Sequence, residues 1–176
     1  MKWLLRIVIT VALLIAAVLV IGLLIPREHS VTRSIHLDQP AEAVWAAITE
    51  YAAFPEWRSA VESVEPLPGG RNGWIEHTDM GPLPLEVVSE DPPCELVIRI
   101  ADDDLPFEGT WTYELEETAE GTRLTVREDG EVKNPVFRFM SKFIFGHAAS
   151  MEHYLKDVGN KFGEDVEVAG LLDAAR

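Results

Sequence analysis

The chain has 176 residues, 15 of them Lys or Arg and 30 Asp or Glu, for a formal net charge of −15. Such an acidic surface cannot displace counterions from a phosphate backbone, so nucleic-acid binding is excluded as a function. One cysteine, Cys94, excludes an internal disulfide and a cysteine-based zinc site.

The first element is an uninterrupted apolar run. Residues Ile7 to Ile25, IVITVALLIAAVLVIGLLI, pass without a charge. As a helix these residues span ~28 Å, about the thickness of a bilayer's hydrocarbon core. Lys2, Arg6 and Trp3 precede the run and Pro26-Arg27-Glu28 ends it, the flanks of a membrane span. A cleaved signal peptide has a shorter apolar region and a small-x-small site, and GLLIPREHS offers none. The expectation is therefore a transmembrane anchor over residues 1–26, a folded domain over 27–170 and a short tail over 171–176. The basic residues before the span slightly favour a single-pass protein of a bacterial-type plasma membrane with its N-terminus inside and its domain outside. Only Lys2 and Arg6 precede residue 27, and no acidic residue does, so the domain alone carries −17.

Beyond the span, VTRSIHLDQP has strand character, and Pro40 suits a first helical position. Ala41, Val44, Trp45 and Ile48 recur at helical spacing. In EYAAFPEWRSAVESVE a second short helix is expected around Pro55, pinned by Phe54 and Trp57. From Val61 the period changes to two. A meander of half-buried antiparallel strands follows, divided by turns at PLPGGRNG, DPP, ADDDLP and AEGT. Its inward residues are Leu83, Leu85 and Val87; Leu96, Ile98 and Ile100; Phe107, Trp111, Tyr113 and Leu115; then Leu124 and Val126. Cys94, in DPPCELVIRI, is expected to be a buried small hydrophobe. The last element is a long helix capped by Asn134 and begun by Pro135. Its apolar stripe runs through Met140, Ile144, His147, Met151, Tyr154, Leu155, Val158 and Phe162.

Strand, two short helices, antiparallel strands and a long C-terminal helix form an α+β order. In IHLDQPAEAVWAAITEYAAFPEWRSAVESVEPL, SEDPPCELVIRI, LEETAEGTRLTVREDGEV and YLKDVGNKFGED the chain resembles the START-like superfamily, specifically its polyketide cyclase/dehydrase and lipid-transport group. The resemblance covers roughly residues 31–165. It implies a helix-grip fold, a curved sheet of about seven strands wrapped on the long helix, with a cavity between them. That superfamily includes lipid carriers, aromatic cyclases, hormone receptors and quinone-binding proteins, and fold alone does not choose among them.

The expected ligand is a hydrophobic small molecule such as a lipid, quinone or polyketide-like compound, in contact with Leu85, Ile98, Trp111, Tyr113, Val126, Met140, Ile144, His147 and Met151. The alternatives are a cyclase/dehydrase-type enzyme, with His147 working beside Tyr113 or Glu128, and a module with a vestigial cavity whose surface binds a protein partner. His77 is a fourth inward polar candidate of ambiguous facing. Against catalysis, His147 also reads as a satisfied core histidine, Tyr113 as a rim hydroxyl and Glu128 as a strand-end carboxylate in solvent. No metal site is expected: His147 and His153 fall on different helix faces, and Asp102-Asp103-Asp104 reads as a solvated hairpin tip. PGGRNG precedes a strand, so it lacks the helix N-terminus that cradles phosphate. No cofactor and no nucleophile arrangement is expected.

Residues Val132 to Met151 contain no acidic residue, but Lys133, Arg138, Lys142 and four phenylalanines, Phe137, Phe139, Phe143 and Phe145. Basic plus aromatic residues suit a bilayer interface near the cavity mouth. The ordinary alternative is core packing with Arg138 and Lys142 in solvent.

Overall fold

A computed structural model describes residues 2–146 and 148–175, with the side chains of all of these except 144, 145 and 171–175. The apolar run forms α1 (Lys2–Leu24), one helix of 23 residues. It is exposed along almost all of its length, with Gly22 its buried residue. Then come β1 (Glu28–Leu37), α2 (Ala41–Thr49), a turn of 3₁₀ helix (Tyr51–Ala53) and α3 (Phe54–Trp57). Pro40 is the residue just before α2, one earlier than expected, with extended backbone. Pro55 sits at the start of α3, where its missing N–H is harmless.

The strands β2 (Ser63–Pro66), β3 (Gly73–Thr78), β4 (Gly81–Asp91), β5 (Glu95–Ile100), β6 (Phe107–Thr118) and β7 (Gly121–Val132) form the meander. The sheet order is β2-β3-β4-β5-β6-β7-β1, every pairing antiparallel, with an eighth strand, β8 (Ala169–Ala175), beyond β1. The period-two pattern is obeyed: Tyr113, Leu115, Leu124 and Val126 are buried, while Glu114, Arg123 and Arg127 are exposed. Two long β strands, β6 and β7, turn tightly at Gly121. Its φ is 137°, and a Cβ there would lie 2.1 Å from the Leu37 carbonyl oxygen, so only glycine fits.

Val44, Ile48, Phe54, Leu155 and Val158 pack on this face and close the core. The long C-terminal helix is α5 (Ala149–Lys161), buried through Met151, Tyr154, Leu155 and Val158.

Four local expectations change. The helical run does not extend unbroken from Pro135. It comprises α4 (Pro135–Met140), a π-helical turn (Ser141–Phe145) and then α5, with Gly146 at φ 75° between them. Asn134 does cap it: its side chain accepts hydrogen bonds from the N–H groups of Val136 and Phe137, at 2.8 and 3.4 Å. Residues 171–175, read as a tail, lie in β8, which covers the edge β1 would otherwise leave unpaired. Cys94 is exposed rather than buried, because it lies in the turn leading into β5. Arg138 is buried rather than solvated, at 4 % exposure, because the last turn of α1 lies against α4.

Candidate functional site

A cavity of about 630 Å³ opens between the inner face of β3–β6 and helices α3 and α5. Most of its wall is apolar, including Phe54, Trp74, Leu85, Leu96, Ile98 and Trp111. The alternation of β3 to β6 aims Trp74, Leu85, Leu96, Ile98 and Trp111 inward, since neighbours in sequence go to opposite faces, and Phe54 comes from α3. Of the residues expected to meet a ligand, Leu85, Ile98, Trp111 and Tyr113 line the cavity, as does Glu128. Val126 and Met151 are fully buried in the core rather than part of the wall, and Met140 is half-buried on α4 outside it. His147 lies outside the described residues, as does the side chain of Ile144.

The cavity has one polar wall that the sequence reading missed. Trp74 and Glu76, two residues apart on β3, share the inward face, and both are buried. Arg58 follows α3 directly, where the backbone turns extended, and its guanidinium forms an ion pair with the Glu76 carboxylate. Trp74 donates its indole N–H to the same carboxylate at 3.0 Å. The guanidinium also lies over the rings of Phe54 and Tyr154, at 4.8 and 5.0 Å. A buried carboxylate is tolerable only with such partners. Burial is the largest single influence and pulls the Arg58 pKa down, but the Glu76 carboxylate, Tyr154 and Tyr113 together outweigh it and the net shift is upward. His77, one residue on, points the other way and meets Glu65 at 3.3 Å on a half-exposed face.

Tyr113 and Tyr154 complete this wall, their ring centroids 5.9 Å apart. Burial raises both hydroxyl pKa values above the ordinary value near 10, Tyr113 well above it, while Arg58 opposes the rise only in part. Both are therefore proton donors at neutral pH. The linkage has a definite sign. Below pH 10 both states are protonated and the stability is fully present. Above that, the unfolded chain ionises first and stability falls as pH rises. An alkaline titration followed by tyrosinate absorbance is expected to show Tyr113 and Tyr154 ionising only as the protein unfolds; ionisation of all three tyrosines in the folded state would contradict it.

Other polar groups are committed elsewhere. Glu128 meets His29 Nε2 at 3.2 Å and is largely withdrawn from bulk solvent. Ser59, His153 and Asp157 cluster at the rim. Asp157 Oδ2 accepts from the Ser59 N–H at 2.9 Å and from its hydroxyl at 2.8 Å, and His153 Nε2 lies 2.6 Å from that hydroxyl. A nucleophilic triad needs the carboxylate on the far ring nitrogen of the histidine. Here Asp157 approaches the same Nε2, at 3.8 Å, and the arrangement ties α5 to the end of α3. Among the described residues, no group of three His, Cys, Asp or Glu is placed to hold a metal ion.

Residues 28–157 match the model of the family described as polyketide cyclase / dehydrase and lipid transport. Among solved structures, a conserved protein from Geobacillus kaustophilus is 18% identical with a TM-score of 0.65, over 79% of this chain and 98% of that one. A START superfamily protein from Mycobacterium smegmatis is 16% identical with a TM-score of 0.59, over 76% and 96%. The di-domain ARO/CYC protein StfQ of the steffimycin biosynthetic pathway is 14% identical with a TM-score of 0.57, over 74% of this chain and 50% of that one. At these identities the likeness is one of fold. No curated protein matches the chain.

Proposed function

The chain belongs to the polyketide cyclase / dehydrase and lipid transport family, and we propose that it binds a hydrophobic small molecule while anchored to a membrane by α1. The cavity is the observation that carries this reading. Its volume of about 630 Å³ falls within the range of small-molecule sites, and its wall has the usual makeup of such sites, mostly apolar with a few convergent polar groups. Arg58, Tyr113 and Tyr154 gather hydrogen-bond donors at one buried wall, while much of the rest of the lining is apolar. That asymmetry suits a lipid, quinone or polyketide-like compound, with an apolar body and an oxygen acceptor at one end. The anchor reading rests on the length of α1, 23 residues or ~34 Å, and on its exposure. In water those side chains would face solvent all round; in lipid they are in their preferred medium.

Native mass spectrometry of the full chain, released from its membrane in mild detergent, is expected to show a bound apolar molecule. Protein that is empty in every preparation would overturn the reading. A cyclase/dehydrase-type activity is favoured by one observation, the protonated Tyr113 and Tyr154 hydroxyls beside Arg58, which would polarise a substrate carbonyl. The two readings part at Tyr113→Phe. A binder keeps its ligand with modestly lower affinity; an enzyme keeps its ligand and loses turnover.

A further inference from the structure

α1 does not hang from the domain by a loose linker. Gly22 is buried against Pro135, and a Cβ on it would lie 2.0 Å from the Pro135 carbonyl oxygen. Arg138 is the buried cation of α4, and its Nη1 donates to the Ile25 carbonyl at 2.9 Å. Both contacts fall at the C-terminal end of α1. Carbonyls there lack intrahelical partners, and the helix dipole places negative potential on them. A guanidinium from another element satisfies one such carbonyl and neutralises that end. Within the hydrocarbon of a bilayer there is no water to do this, and an unsatisfied backbone group there is costly. The Arg138 Nε, also buried, has no partner, so the Ile25 carbonyl is the polar contact this side chain makes among the described residues.

The topology puts this joint beside the cavity mouth. β1 starts at Glu28 opposite Glu131, and β7 ends at Val132 opposite Phe107. β5 ends at Ile100 opposite Leu85, close to where the β3–β4 turn leads into β4. The end of α1, the start of α4, the β5–β6 loop and the β3–β4 turn therefore share one end of the sheet. Met80, Leu105, Pro106, Phe107 and Phe137 line the cavity at that end. Met80 is 83% exposed, Phe143 59% and Phe137 40%. Large apolar side chains this exposed, beside a membrane-length helix, call for an apolar cover.

We propose that the Gly22–Pro135 and Arg138–Ile25 contacts form a rigid joint that holds the domain against the bilayer, with Phe143, Phe137 and Met80 in the lipid surface and the cavity mouth facing it. This rests on the reading of α1 as a membrane span. The surface is suited to zwitterionic lipid. Asp79, Asp102, Asp103 and Asp104 lie at the same end and would repel anionic headgroups, so apolar contact and the joint itself do the holding. Ligand would then exchange with the bilayer directly.

The test uses the full chain in phosphatidylcholine vesicles, with Cys94 replaced by serine and one new cysteine carrying an environment-sensitive fluorophore. Labels go at Leu14 in the middle of α1, at Phe143, and at Glu120 in the β6–β7 turn at the far end of the sheet. Lipid bearing a nitroxide near the headgroup reports proximity to the surface, and lipid bearing one deep in the chains reports insertion. Quenching at Leu14 by the deep probe and at Phe143 by the shallow one, with none at Glu120, is the expected result. Gly22→Leu and Arg138→Ala should each abolish quenching at Phe143 and leave that at Leu14 intact. Quenching at Leu14 with none at Phe143 overturns the joint and leaves the span standing. Quenching at Phe143 that survives both substitutions also overturns the joint. No quenching at Leu14 overturns the span and the joint together.

Discussion

Replacing Glu76 with leucine is expected to cost about 3–5 kcal/mol of stability, the usual penalty for removing one member of a buried ion pair. Glu76 has 3% of its side chain exposed and Arg58 has 17%, so bulk water is a poor substitute for the lost charge. The substitution also frees the Trp74 indole N–H, which is 3.0 Å from the carboxylate, adding a buried unsatisfied donor. By contrast, Arg123→Ala removes an ion pair to Glu116 whose partners are 53% and 68% exposed, and it should cost less than about 1 kcal/mol. Urea unfolding of the full chain in detergent, followed by near-ultraviolet circular dichroism, checks both. The double replacement Arg58→Met with Glu76→Leu should recover most of the loss, because it removes both desolvation costs together. A Glu76→Leu loss no larger than the Arg123→Ala control would mean that water in the cavity screens the pair.

The second large effect concerns the cavity. Leu83 is half-buried on β4 and lines the open space. Leu83→Trp places an indole where the ligand body would lie, and is expected to weaken binding of a fluorescent fatty acid at least about tenfold, or ~1.4 kcal/mol. Val88 lies on the same strand, is 55% exposed and is not part of the wall. Val88→Trp therefore controls for the added aromatic area and should leave binding unchanged. Both variants should unfold near the wild-type midpoint. Equal affinity in all three proteins would move the binding site away from this cavity.

Much of the architecture was legible because local rules and tertiary structure agreed. Period two along β4 to β7 put Leu85, Ile98, Trp111 and Tyr113 on one face, and they do line one cavity. Around Pro55 the helical path breaks as its ring requires, and Phe54 is buried at 1% exposure. The polar half of the site was not legible in the same way. Glu76 belongs to an inward face by alternation with Trp74, but a carboxylate inside a pocket is improbable until its partner is known. That partner, Arg58, is 18 residues away across a turn, and no periodicity links the two. Arg138 misled for the same reason: a lone cation ordinarily reaches solvent, and the carbonyl that accepts from it is at Ile25, 113 residues earlier.

By itself the sequence determined the apolar span, the strand periodicity, the Asn134 cap and the acidic character of the domain, because each is a matter of composition or of residues close along the chain. The tertiary structure decided which charges are buried, that the residues after Val168 extend the sheet, that the C-terminal helical run breaks at Gly146, and that α1 meets α4 beside the cavity mouth. Those outcomes depend on contacts between distant segments. Burying a charge or joining two helices becomes favourable only once the partner is in place.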